Sequence, residues 1–281
     1  MRLAIALAAS AVAPLIAFGA AGAAAAGPTV EIRDAVARVT IVPEDRADVK
    51  VEMLTTNASL PLDVRTSGSA TVITGNLAHR ISDCHGRGDH PSAWVRGVGE
   101  ISYDNMPQIV IRTPKAVAVE SNGVVYGAVG RAASLDMQNS GCSGWTVADI
   151  SGEASLRESG AGSVKMGSAA KLTLRLSGAG SVHATKVSQL DAILSGVGGV
   201  NVDELSGPMM AHVSGVGHIK VAQGHATAIH ASVSGMGGVD FGGDAQSLDA
   251  SISGLGNVRV KSVTGQVVKS VSGGGHVSIG S

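Results

Sequence analysis

One motif, Ser-Gly-apolar-Gly-x-Val, recurs through the second half of the chain with a period so short that few folds can hold it. It appears as Ser159-Gly160-Ala161-Gly162-Ser163-Val164, Ser177-Gly178-Ala179-Gly180-Ser181-Val182, Ser195-Gly196-Val197-Gly198-Gly199-Val200, Ser214-Gly215-Val216-Gly217-His218-Ile219, Ser234-Gly235-Met236-Gly237-Gly238-Val239, Ser253-Gly254-Leu255-Gly256-Asn257-Val258 and Ser272-Gly273-Gly274-Gly275-His276-Val277. Successive serines are 18, 18, 19, 20, 19 and 19 residues apart. A degenerate copy, Ser140-Gly141-Cys142-Ser143-Gly144-Trp145, stands 19 residues before the first, and Ser121-Asn122-Gly123-Val124 extends the series. A repeat this short cannot hold a βαβ unit of roughly 30 residues or a four-stranded propeller blade of roughly 40.

Counted from the serine, position +5 is Val or Ile in every clear copy. Position +7 (Met166, Ala184, Val202, Val221, Phe241, Val260, Ile279) is also apolar, while +6 between them is Lys, His, Asn, Asp, Arg or Ser. That alternation is the period-2 signature of a strand with one buried face. Upstream, −1 is Leu176, Leu194, Val213, Val233, Ile252 and Val271, with Glu158 as the exception, and −5 is also apolar. Each repeat therefore reads as strand, Gly-rich corner, strand and variable connection. The architecture expected is all-β, a right-handed parallel β-helix with rungs of about 19 residues stacked every ~4.8 Å. An antiparallel β-prism or sandwich is the alternative. The corner glycines are expected to take positive φ where a Cβ would clash with the adjacent rung.

Residues 27–120 are less regular. Short strands are expected at Val30–Ile32, Val39–Ile41, Val49–Met53, Val64, Val72–Thr74, Ile101–Tyr103, Ile109–Arg112 and Ala116–Val119, with a turn at Pro43–Arg46. These read as hairpins and early rungs capping the first end of a solenoid that occupies 121–281, in one continuous domain. The last strand is followed only by Gly280 and Ser281, so the final rung is expected to present an open edge.

Before residue 27 the chain has the layout of an export leader: basic Met1-Arg2, an apolar run Leu3–Phe18, and small residues Gly19–Ala26. Cleavage is expected after Ala26, with an uncleaved anchor as the alternative. Beyond it no apolar stretch approaches the ~20 residues of a membrane helix. Export places Cys84 and Cys142 where a disulfide can form. The alternative is a metal site in Asp83-Cys84-His85-Gly86-Arg87-Gly88-Asp89-His90, whose spacing fits no zinc pattern.

Composition narrows the function. Glycine accounts for 39 of the 281 residues, about twice average usage. Phe, Trp and Tyr are two each, too few for base-stacking platforms or barrel girdles. Trp94, Tyr103, Tyr126 and Trp145 are confined to the irregular first half of the chain, and any binding site is expected in that half. A net charge of −1 leaves no electrostatic footprint for nucleic acid or anionic lipid.

An N-terminal Val-x-Ile strand, the strand Ile109-Val110-Ile111-Arg112 running into Thr113-Pro114, and the tandem Ser-Gly-x-Gly-x-Val rungs resemble the bacterial family called putative auto-transporter adhesin, head GIN domain. The likeness covers residues 30–281. It implies an exported β-helical protein with no catalytic residues to carry over.

The repeated serine invites a nucleophile reading, but no base or orienting acid repeats beside it; a hydroxyl ladder along the stack is expected instead. None of the Gly-x-Gly pieces opens a helix as a phosphate loop would. His212 and His230 are the histidine pair expected to approach, while His218 and His276 stand three rungs apart. No column holds carboxylates in adjacent rungs, as a polysaccharide-cleaving groove would require. The reading is an exported, non-catalytic solenoid of the periplasm or cell surface, without cofactor or metal, acting in adhesion or scaffolding on an envelope macromolecule. A carbohydrate-active β-helix enzyme and a polymer or homo-oligomer built through the C-terminal edge are the alternatives.

Overall fold

The computed structural model describes residues 27–85 and 91–280; Ala26 and the leader before it lie outside. The second half of the chain is a parallel β-solenoid. Along Gly199–Leu205, His218–Ala226, Gly238–Ala245, Asn257–Val263 and His276–Ile279, each strand pairs in parallel with the one a rung away. A second ladder runs through Met209–Val213, Ile229–Val233, Leu248–Ile252 and Val267–Val271. The registers match the serine count: Val200 stands on Ile219, Ile219 on Val239, and Val239 on Val258. A prism or sandwich would need antiparallel neighbours, and these rungs have none.

The alternating apolar columns fill the lumen. In one rung Val200, Val202, Leu205, Met209, Ala211 and Val213 are each 2 % exposed or less. At roughly 1.5–3 kcal/mol per fully buried large side chain, this continuous core is what drives folding. One inward column escapes the motif count. Ala169, Val187, Leu205, Ala226 and Ala245 line the third side of the lumen, but their distance from the serine varies with rung length. The long rungs shift register between Val221 and His225 and between Phe241 and Asp244, and Gly224 takes φ +138° in the first of these irregularities.

The corners correct one expectation. Of the repeat glycines only Gly273 has a positive φ, +150°. The others are required because backbones stack directly. A Cβ on Gly215 would lie 2.2 Å from the carbonyl oxygen of Gly196, and one on Gly235 2.1 Å from that of Gly215. That proximity lets the ladder run unbroken around the bend, with the Val216 N–H donating to Gly196 O at 3.2 Å and the Met236 N–H to Gly215 O at 3.1 Å. The serine hydroxyls do not chain to one another either. Those of Ser159 and Ser214 donate to the carbonyls of Asn139 (3.3 Å) and Leu194 (3.4 Å) in the rung before.

The N-terminal region threads the stack out of order. Strand Thr29–Glu44 carries both expected short strands and lies between two rungs, with Ala116–Val129 on one edge and Ala70–Thr74 plus Gln108–Pro114 on the other, all parallel. Asp63–Ser67 and Lys50–Thr55 then pair antiparallel on those outer strands and cover the first end. Residues between Thr74 and Gln108 include a three-stranded antiparallel sheet, Ile81–His85, Ser92–Val95 and Gly99–Ser102. Ile81–His85 and Ser92–Val95 are not among the strands expected from the sequence; in the first, Asp83, Cys84 and His85 mask the alternation.

Two outcomes follow. Gly215→Ala should cost roughly 2–4 kcal/mol, because the clash is with backbone that is itself stacked, whereas Val216→Ala beside it stays within about 0.5 kcal/mol; urea unfolding of both variants measures the contrast.

Candidate functional site

The Ser-Gly-x-Gly corner directs alternate positions to opposite sides. Position +3 faces the lumen, where a Cβ on Gly217 would meet Leu194 Cδ2 at 2.8 Å. Position +2 must then face out. The motif shows +2 to be apolar, but only the fold shows it to be exposed: Val197 63 %, Val216 53 %, Met236 64 % and Leu255 69 %. One apolar side chain per rung thus forms a ridge along the outside of the solenoid.

The same outward column is covered at its other end. Val36 stands beside Val124, Val124 beside Cys142, and Cys142 beside Ala161. Val36 and Val124 are buried in a second apolar cluster with Leu77, Ala93, Val95 and Met106, contributed by the inserted segment. The disulfide Cys84–Cys142, with Cα atoms 6.4 Å apart, ties that segment to the solenoid. Cys84 is therefore not available to a metal; the residues that follow His85 in the cluster lie outside the described residues. Between the inserted sheet and the ridge the column is small, Ala161 and Ala179, and a groove of about 520 Å³ opens there, walled by Cys84 and Tyr126.

The four aromatics of the first half take different places. Trp145 is 2 % exposed, in the lumen at +5, with its ring where a Cβ on Gly127 would come within 2.3 Å. Tyr103 and Tyr126 meet edge to face at 5.9 Å, with the Arg38 guanidinium 5.0 Å from the Tyr103 ring, in the seam under the inserted sheet. Trp94 alone of the four is exposed by nearly half.

A second cleft, about 410 Å³, opens on the other side of the corner between Glu31, Arg157 and Arg175, and reaches Ser121, Asn139 and Glu158. These three occupy the column that later rungs fill with Leu176, Leu194 and Val213. Ser121 Oγ donates to Asn139 Oδ1. Glu158 is 3 % exposed; its Oε1 accepts from the Gly160 N–H at 3.3 Å, while Oε2 and the nearby Ser143 Oγ are buried without a well-formed hydrogen bond. Burial pushes the Glu158 carboxyl up to about 7, against the opposing pull of Asn139, the Gly160 N–H and Ser143.

Elsewhere outward carboxylates are taken up by bases on nearby rungs: Asp136 with Arg157 (2.8 Å), Glu153 with Lys171 (2.9 Å), Asp203 with His183 (2.9 Å) and Asp240 with His218 (2.6 Å). The Lys171 ammonium holds Glu153 below the ordinary carboxylate range. Such exposed pairs contribute little stability each. His212 and His230 do line one shallow surface, with Asp249 3.7 Å from His230 Nδ1. Among the described residues no three His, Cys, Asp or Glu side chains converge as a metal site requires, and no helix is long and apolar enough to cross a membrane.

No family profile and no curated protein matches the chain. Among solved structures, it is similar to one described as a "putative adhesin" from Bacteroides fragilis NCTC 9343, with 14 % identity, TM-score 0.38, and coverage of 90 % of this chain and 93 % of that one. Another, a "putative cell adhesion protein" from Clostridium sporogenes ATCC 15579, has 9 % identity, TM-score 0.23, and coverage of 87 % and 92 %. The fold assignment rests on the strand register and not on either likeness.

The buried carboxyl has a testable consequence. Its folded-state value, about 7, lies above the ordinary 4.5, so the folded state holds the proton longer and stability is lost as pH rises through this window. The whole loss, from below pH 4.5 to well above pH 7, amounts to roughly 3 kcal/mol at ~1.4 kcal/mol per unit, of which about 2 kcal/mol falls between pH 5.5 and pH 8.5. Wild type should melt at a lower temperature at pH 8.5 than at pH 5.5, and Glu158→Gln should remove most of the difference. An equal drop in the variant would place the titration elsewhere.

Proposed function

We propose that this chain is an exported, non-catalytic interaction protein of the bacterial envelope, acting in adhesion through the corner face of its solenoid. The exposed column Val197, Val216, Met236 and Leu255 carries the reading. A contiguous apolar surface on a folded chain is costly unless something covers it. The stacked lumen holds the ridge rigid, so little ordering is lost on contact. The disulfide is consistent with an oxidising compartment, and the Ser-Gly-x-Gly rungs support kinship with head GIN domains. The partner class is a macromolecule of the envelope or cell surface.

Beads coated with residues 27–281 test it. Adhesion of these beads to bacterial cells should fall at least tenfold with Met236→Lys/Leu255→Lys, while the melting temperature stays unchanged. Undiminished adhesion by the folded variant rejects the corner face.

A second reading, assembly through the last rung, is favoured by Val267, Val268 and Val271, exposed at 39 %, 44 % and 46 % on a strand paired along one edge among the described residues. Light scattering should then show assemblies that Val268→Asp/Val271→Lys dissolves; a concentration-independent monomer rejects it.

A further inference from the structure

We infer that the corner face docks on a second copy of itself, two chains pairing antiparallel about a twofold axis between the Val197 and Val216 rungs. This rests on the reading of that face as the interaction surface and names its partner.

The outward column reads Ala161, Ala179, Val197, Val216, Met236, Leu255, one residue per rung, with side-chain size rising along it. A twofold interface must be complementary to itself. Laid antiparallel on its own copy, this column sets Ala161 against Leu255, Ala179 against Met236, and Val197 against Val216. Each pair is small against large or medium against medium. At +4, Ser163 falls opposite Asn257 and Gly199 opposite His218, again small against large, while Gly238, opposite Ser181, is buried between His218 and Asn257. Equal rung spacing, ~4.8 Å on both sides, keeps these pairs in register. The ridge at Met236 and Leu255 would seat in the partner's groove of about 520 Å³, whose floor includes Ala161 and Ala179.

Two further features favour a second copy. The same column is already an interface within the chain, since the inserted sheet buries it at Val36 and Val124, and the groove continues that interface. Positions 0 to +4 of these six rungs hold no Lys, Arg, Asp or Glu, and their one titratable side chain, His218, is engaged by Asp240 at 2.6 Å. The N–H groups of Val197, Val216, Met236 and Leu255 themselves donate to the glycine carbonyls one rung back, so it is their side chains that are offered to a partner. The strip is about 24 Å by 10 Å, or roughly 240 Å² against the ~800 Å² per partner of a standard interface. The pair is therefore weak, and forms where copies are crowded or multiply displayed.

Cross-linking tests the geometry. Val197→Cys and Val216→Cys chains, mixed at high concentration under mild oxidation, should form a 197–216 disulfide at least tenfold faster than either variant alone links to itself, and peptide mapping identifies it. Adding Met236→Lys to both should slow the reaction at least tenfold, while Val271→Lys should not. Equal rates in the mixture and the single variants, or no 197–216 product, overturn the twofold pairing, as does loss of the product with Val271→Lys. If cross-linking fails while the Met236→Lys/Leu255→Lys beads lose adhesion, the face stands and the second copy falls. If the beads also keep their adhesion, both fall.

Discussion

The structure depends on backbone lying against backbone at the Ser-Gly-x-Gly corner. A Cβ on Gly178 or Gly198 would sit 2.0 Å from the carbonyl oxygen of the glycine one rung back. A side chain there would push the rungs apart and break the hydrogen bonds that carry the ladder around the bend. Removing it at two positions per rung lets the corner close, and the closed corner directs what remains: +3 toward the lumen, +2 toward solvent. The glycine excess is thus a packing requirement and not a store of flexibility. The exposed ridge follows from the same geometry, since an apolar residue at +2 has nowhere inside to go.

The regular stack begins beyond a seam. In the rungs of Ser121, Asn139 and Glu158 the lumen holds polar groups where later rungs hold leucine and valine, and burial raises the carboxyl at the end of this series. These rungs carry the inserted sheet and the disulfide on their outside. External cross-bracing stands where the internal core is less apolar, and a pH-dependent weakness is built into the junction between the covered and bare parts of the outer column. Glu158 is the one clear break in the −1 column, so the seam could be located from the pattern, while its effect on the carboxyl could not.

An interaction role fits the way polar chemistry is distributed. Acids on the outer faces meet bases on nearby rungs, such as Asp136 with Arg157 and Asp240 with His218. The uncharged strip is the corner face, where glycine and serine leave backbone and one apolar side chain per rung at the surface.

Much of this was legible in the residues. Period, parallel stacking and the +5, +7, −1 and −5 columns all follow from spacing, because a solenoid repeats one local solution and each copy reports on the others; the Cys84–Cys142 pairing follows instead from two cysteines behind an export leader. What did not repeat was harder to read. The place of Thr29–Glu44 between later rungs depends on contacts distant in the chain, and the third lumen column is blurred by rungs of unequal length. Trp145 falls at the inward +5 position of a degenerate copy, but how the lumen admits so large a ring shows only when its rung is set on Gly127, whose missing side chain makes room for it. The sequence by itself determined the repeating unit, since alternation and glycine spacing are local consequences of strand geometry. Only the tertiary structure decided which apolar column faces water, because that depends on how closely one rung lies on the next.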